Sequence, residues 1–150
     1  MSDEREGNSE GNKRLVRRIV DEAYNQGNLA VVEEVAAPDV VSHAAPPGWP
    51  AGVEGARQFI AMWRTALPDI HTTIDDQIAE GDRVVSRWTA RGTHQGELLG
   101  IPATGKPVTV SGITINRLSG GRVVEDWTVI DQVGLLQQLG ALPAPGGTPS

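Results

Sequence analysis

The chain contains no cysteine, which excludes disulfides, thiol nucleophiles and thiolate metal sites. No apolar run approaches the roughly 18 residues that a membrane span requires. No basic cluster is longer than Lys13-Arg14 or Arg17-Arg18, and 13 basic residues against 19 acidic ones leave a net charge of -6. A general nucleic-acid binder would need a basic stripe to meet phosphates, so that class is excluded, and no membrane partner is expected. The opening residues Met1-Ser2-Asp3-Glu4-Arg5-Glu6 are polar, with no apolar core of an export signal, and the cytoplasm is the expected compartment. The three histidines are scattered without a nearby carboxylate and give no metal signature. There is no Gly-x-Ser-x-Gly elbow, and the Gly-rich residues 96–105 lack the strand-loop-helix setting of a phosphate cradle. No cofactor is expected.

What remains is an ordinary globular composition: 150 residues, 39% hydrophobic and 21% charged. That length suits one domain with a real core. Residues 1–12 are polar and aperiodic, and read as a mobile tail. Over residues 13–26, Leu15, Val16, Ile19, Val20, Ala23 and Tyr24 recur at helical spacing. Gly27 suits a helix C-terminus, and Asn28 suits the cap of a short second helix through Val35. Residues 40–43 read as a brief extended piece before a Pro/Gly-rich loop. A third helix is expected over residues 53–67, with Val53, Ala56, Phe59, Ile60, Trp63 and Leu67 on one stripe. The period then changes from 3.6 to 2. Strands are expected over residues 70–79, 83–94, 107–118 and from the Gly120-Gly121 turn onward. Residues 131–139 return to a helix, and residues 143–150 form a loose low-complexity tail. Helices followed by a strand meander give an α+β domain over residues 13–142, its helices on one face of a curved sheet. Such an arrangement can enclose a pocket.

The stretch Arg122-Val123-Val124-Glu125-Asp126-Trp127-Thr128-Val129-Ile130-Asp131 is the most informative. Strict alternation puts Val123, Glu125, Trp127, Val129 and Asp131 on one face. Three large apolar groups interleaved with two carboxylates fit a half-buried pocket wall with an acid at its far end. The alternative makes Val124, Asp126, Thr128 and Ile130 the core face, with Asp131 capping the following helix.

The element order resembles the cone-shaped α+β barrel of nuclear transport factor two, ketosteroid isomerase, scytalone dehydratase and limonene epoxide hydrolase. More closely it resembles the SnoaL-like polyketide (ester) cyclases, over about residues 15–139. The resemblance is carried by Tyr24-Asn25-Gln26-Gly27-Asn28-Leu29, by Ala37-Pro38-Asp39 with His43, and by Gly52-Val53-Glu54-Gly55. It continues in Gly92-Thr93-His94-Gln95-Gly96, in Gly100-Ile101-Pro102-Ala103-Thr104-Gly105-Lys106, and in Val124-Glu125-Asp126-Trp127 with Asp131. It implies a cone-shaped barrel, with a curved antiparallel sheet wrapped around N-terminal helices. It also implies a cofactor-independent intramolecular aldol condensation of a polyketide ester, in a homodimer or homotetramer joined through the outer sheet face. The family's acid/base aspartate on the last strand matches Asp131 by position after Trp127. The histidine that some members place on the preceding strand is absent here, and Asn116 or Arg117 stands in its region.

An Asp flanked by Trp127 and Val129 on a concave face would have its charged form desolvated and its pKa raised, as a carbon-acid base requires. His43, beside the Pro/Gly-rich loop, is a candidate to polarise a substrate oxygen; a structural hydrogen bond is the alternative. His94 is expected to order the loop beside it, and His71 to be exposed. Trp63, Trp88 and Trp127 are candidates to line a cavity for a flat hydrophobic substrate, with Trp49 on a lid. Arg117 and Glu125 are expected to pair inside the cone if the Gly turn brings them to one face; another turn length puts Asn116 there. A carrier of apolar metabolites and an isomerase, dehydratase or epoxide hydrolase are the rival functions. For the last of these, Arg117 and Asp131 would supply two members of an Asp-Arg-Asp set.

Overall fold

The computed structural model describes residues 2–143, with side chains from residue 8 onward. The tail expected at residues 143–150 therefore lies, beyond Pro143, outside the described residues. Helix α1 spans Ser2–Arg18 and runs directly into a π-helical turn, Ile19–Asn25. It starts well before the expected residue 13, so residues 2–12 are helical rather than a loose tail. Glu and Arg are good helix formers, and extending a helix already nucleated by its buried face costs little. That face is the one the spacing predicts, with Val16 and Ala23 buried and Leu15, Ile19 and Tyr24 packed beside them.

Gly27 closes this helix at φ +76°, a left-handed conformation that glycine adopts without steric cost. Asn28 does not cap α2 (Val31–Val35); Ala30 holds that position with no side-chain bond. Strand β1 covers Ala36–Ser42, starting earlier than the expected residue 40. Helix α3 (Gly52–Ala66) and strands β2 (His71–Glu80), β3 (Arg83–Thr93), β4 (Pro107–Ser119) and β5 (Arg122–Ile130) follow. Helix α4 is Gln132–Gln138.

The sheet order is β1-β5-β4-β3-β2. Strands β2 to β5 form the expected antiparallel meander, but β1 pairs parallel to β5. The sheet is thus mixed, curved and open, not a closed antiparallel barrel. The last strand of a meander leaves an edge that needs a partner. β1, over 80 residues earlier in sequence, supplies it, and alternation along either strand carries no sign of the direction. Register shifts interrupt the β1–β5, β2–β3 and β4–β5 ladders; such bulges bend a sheet.

Two apolar clusters fill the space between the sheet and the helices. One joins Val16, Ala23, Val31, Val35 and Ile60 to Val84, Leu118 and Val123. The other joins Leu67, Ile70, Leu98, Val110, Leu135 and Leu139, with Trp63 and Trp88 at its side. Each fully buried Val or Leu contributes roughly 1.5–3 kcal/mol. No helix among the described residues is long and apolar enough to cross a membrane.

Candidate active site

The β4–β5 register decides what faces the interior. Leu118 pairs with Val123, but Arg117 pairs with Glu125, so one extra residue is taken up between them. From there Asn116 pairs with Asp126, Thr114 with Thr128 and Gly112 with Ile130. A bulge reverses the alternation, so Val123 shares the inner face with Asp126, Thr128 and Ile130. Glu125, Trp127 and Val129 lie on the outer face. The pocket-wall face expected from strict alternation is therefore not formed; the core-facing alternative holds for Asp126, Thr128 and Ile130, with Val123 in place of Val124, which the bulge absorbs.

Asp131 is exposed. Its Oδ1 accepts the Gly134 backbone N–H at 3.0 Å and caps α4. Its expected desolvation falls on Asp126 instead. That carboxylate sits on the inner face beside Ser42, which is in register with it on β1. The Ser42 Oγ donates to Asp126 Oδ1 at 2.7 Å. Burial pushes the Asp126 carboxyl above its ordinary value; the Ser42 hydrogen bond and the nearby His43 pull it partly back, and the charge of Glu125 adds to the rise. Asn116, buried and directly across from Asp126, is the inward member of the pair left open by the sequence. Thr114 and Thr128 bond to each other at 2.9 Å, and the Trp88 Nε1–H donates to Thr114 Oγ1 at 3.0 Å. Ser86 lies buried on the same face.

Arg117 and Glu125 do pair, at 3.0 Å, but outside the cone. His43 joins them there: its Nε2 is 2.7 Å from Glu125 Oε2, and its ring stacks on Trp127 at 5.1 Å between centroids. The His43 bond, then the Arg117 bond, hold the Glu125 carboxyl below its ordinary value. Neither His43, Arg117 nor Trp127 faces the interior. Of the three tryptophans expected to line a cavity, Trp63 and Trp88 pack on the interior cluster and Trp127 does not. Trp49 folds back on α3, donating to the Gly55 carbonyl at 2.8 Å and meeting Phe59 edge-on. His94 is fully buried, and its Nδ1 bonds Thr104, which orders the loop as expected. His71 is exposed.

Sequence reasoning missed Asp126 and Ser42. The signal for them was the acid itself on an apolar-rich strand, which needs a partner, but one bulged residue hid which acid was inside.

A SnoaL-like polyketide cyclase model matches residues 14–139. The chain belongs to this family. TsrD from Streptomyces laurentii is 33% identical over 88% of this chain and 96% of its own, with a TM-score of 0.82. IdmH from Streptomyces antibioticus, whose polyketide cyclase assignment is itself a proposal, is 36% identical over 86% of this chain and 98% of its own, with a TM-score of 0.74. AclR from Streptomyces galilaeus, assigned in the same provisional way as a hydroxylase, is 30% identical over 95% of this chain and 87% of its own, with a TM-score of 0.78. No curated protein matches. Family membership fixes the fold of this chain and leaves its reaction to the site, because one fold hosts several chemistries.

Proposed function

We propose that this protein is a cofactor-independent cyclase that closes a ring in a polyketide ester, or a similar hydrophobic carbonyl compound, by an intramolecular aldol reaction. The observation that carries this is the Asp126 carboxyl, half-buried on the inner face across from Asn116 and bonded to Ser42, where burial pushes it above its ordinary value. A base for a carbon acid works best with a pKa drawn toward operating pH, and burial does that. In the reaction, Asp126 takes a proton from the carbon next to the ester carbonyl. The resulting enolate carbon attacks a second carbonyl of the same molecule, forming the new C–C bond. The alkoxide so formed takes the proton back from Asp126, so protons balance with no outside reagent. Ser42 holds the carboxylate in place, and Trp63 and Trp88 offer flat apolar surface to the substrate.

The epoxide-hydrolase alternative needs an arginine among the interior acids, and Arg117 lies on the outer face with Glu125. The carrier alternative gives no role to a carboxyl held above its ordinary value. The outer face of the sheet, in our proposal, meets a second copy of the chain.

The test is turnover of an aromatic polyketide methyl ester by wild type and by Asp126→Asn. The substitution keeps the shape and still accepts from Ser42. A loss of about a hundredfold or more supports the reading. Turnover within about threefold of wild type sinks it.

A further inference from the structure

Strand β1 is an edge strand with a broken ladder. After Ala36 pairs with Val123, the next pair is Val41 with Glu125, so β1 takes five steps where β5 takes two. Pro38 lies in that gap and has no N–H to give a ladder. Pairing resumes only at Val41 and Ser42, and the chain then leaves into the Pro/Gly-rich residues 44–51. A strand end with so few ladder bonds has little to hold it in place. Yet Ser42, the last residue of this strand, is the one that bonds Asp126.

What fixes Ser42 is the residue after it. The His43 backbone N–H donates to the Asp126 carbonyl at 2.9 Å. Its Nε2–H donates to Glu125 Oε2 at 2.7 Å, and its ring stacks on Trp127, 8° from parallel at 5.1 Å between centroids. Arg117 of β4 holds the other Glu125 oxygen at 3.0 Å. An exposed ion pair alone contributes little, but a carboxylate held by two fixed donors is a network with one geometry. Successive strand residues point to opposite faces. Ser42 therefore bonds Asp126 from inside at 2.7 Å, while His43 grips both chain neighbours of Asp126 from outside.

We propose that His43 is a positioning residue for the Asp126 base: its bond to Glu125 on the outer face sets the Ser42 hydroxyl against the carboxylate on the inner one. This rests on the Asp126 reading above. The imidazole touches no reacting atom and exchanges no proton with the substrate. Holding Oδ1 fixes the plane of the carboxylate, and a base already oriented loses less in reaching a carbon-bound proton.

The His43 charge acts on the same group. Burial raises the Asp126 carboxyl, the Ser42 bond lowers it, and the His43 charge lowers it further, against the rise that Glu125 adds. The ionisable groups around it are His43 from the end of β1, Glu125 of β5 with Arg117 of β4 behind it, and the Tyr24 phenol from the helical turn. That phenol is held above its ordinary value by burial and by the Asp126 charge. A base works only when ionised, so kcat falls as pH drops through the Asp126 value. Losing His43 moves that fall to higher pH.

The experiment measures kcat, KM and their pH profiles with the same methyl ester for wild type, Asp126→Asn, Ser42→Ala, His43→Phe, His43→Gln and the Ser42→Ala/His43→Phe double variant. Phe keeps the stack on Trp127 and drops the Glu125 bond; Gln keeps a donor for Glu125. His43→Phe should lower kcat about tenfold, the effect of one lost hydrogen bond to a charged group, with KM within about threefold. Its acid limb should lie at higher pH than that of wild type, a shift that a merely structural histidine would not cause. The Asp126 carboxyl carbon, followed by nuclear magnetic resonance without substrate, should titrate at higher pH in the same variant. His43→Gln should recover most of the lost kcat. Ser42→Ala should lose about as much as His43→Phe, and the double variant no more than about threefold beyond either, because His43 acts through Ser42. Where His43→Phe does not fold by circular dichroism, His43→Ala takes its place on the same expectations. Unchanged kcat and an unmoved acid limb in His43→Phe overturn the inference. So does a double variant that loses a further tenfold, or a His43→Gln as impaired as His43→Phe. If Asp126→Asn is impaired while His43→Phe is not, only the positioning role falls; if Asp126→Asn turns over as wild type does, the cyclase reading falls and this inference with it.

Discussion

Asp126 and Asp131 stand five residues apart on one strand and its exit, and their environments give them different work. Asp126 is desolvated and bound by one serine; Asp131 is exposed and spends its carboxylate on a helix N-terminus. The contrast predicts opposite outcomes. Asp131→Asn keeps the cap and should leave turnover within about threefold, while Asp131→Ala should cost roughly 1 kcal/mol of stability in a urea titration. Asp126→Asn should lose turnover yet be at least as stable as wild type at pH 7. The sign follows from the raised pKa: between the unfolded and folded values the native state holds the extra proton, so wild-type stability falls as pH rises through that window. Asn carries no such penalty. The stability advantage of Asp126→Asn should therefore shrink as pH falls toward 4 and vanish below it. A variant that is less stable than wild type at pH 7 but not at pH 3 would contradict the assignment of burial as the dominant cause.

At the scale of elements, the site depends on a close approach of β3 and β4. Trp88 pairs with Gly112 across the strands, and a Cβ on Gly112 would overlap both the Trp88 ring and the Val129 carbonyl. The absent side chain is what lets the indole lie flat on the inner face and reach Thr114. Gly112→Ala should destabilise the fold by about 1–3 kcal/mol in chemical denaturation. It should also change the near-ultraviolet circular dichroism, as Trp88 is pushed off its hydroxyl partner; an unchanged spectrum and midpoint would show the ring is free to move. Period and turn chemistry made these elements legible: a 3.6 spacing through Tyr24, a change to period 2 near residue 70, and Gly27 and Gly120 at turns were all readable. What was not readable is the β4–β5 register. One residue absorbed between Val123 and Glu125 sends Trp127 outward and Asp126 inward, and nothing in local hydrophobicity distinguishes a bulged strand from a regular one. The same insertion moved the Arg117–Glu125 pair outside and settled Asn116 inside. His43 was misplaced for a related reason. It directly follows the edge strand β1, whose parallel pairing with β5 depends on residues more than 80 positions away.

For the whole molecule, the outer face of the sheet is ordered in rows across its strands. Ile78, Val85, Ile115 and Trp127 form one continuous row over β2, β3, β4 and β5. Beside it run Glu80, Arg83, Arg117 and Glu125 on one side, and Asp76, Arg87, Ile113 and Val129 on the other. Val129 on β5 is 75% exposed and Ile78 on the edge strand β2 62%, high values for large apolar groups. An apolar row bordered by charges of both signs is self-complementary: a two-fold axis through it lays apolar residues on apolar residues and opposes acids to arginines. A nucleic acid or an acidic partner would find carboxylates in both flanking rows, whereas a second copy of the chain, the occupant we propose, meets the apolar row and both charged borders with matching groups. Because Ile113 is 48% exposed, Ile113→Arg adds a charge without emptying the core. By light scattering after size exclusion, wild type should have the mass of two chains or a multiple of two, and Ile113→Arg the mass of one, with unchanged far-ultraviolet circular dichroism. Asp126 faces the opposite side of the sheet, so the monomeric variant should retain most of its turnover. A wild type that elutes as a single chain, or an Ile113→Arg that assembles as wild type does, would remove the outer face from the interface.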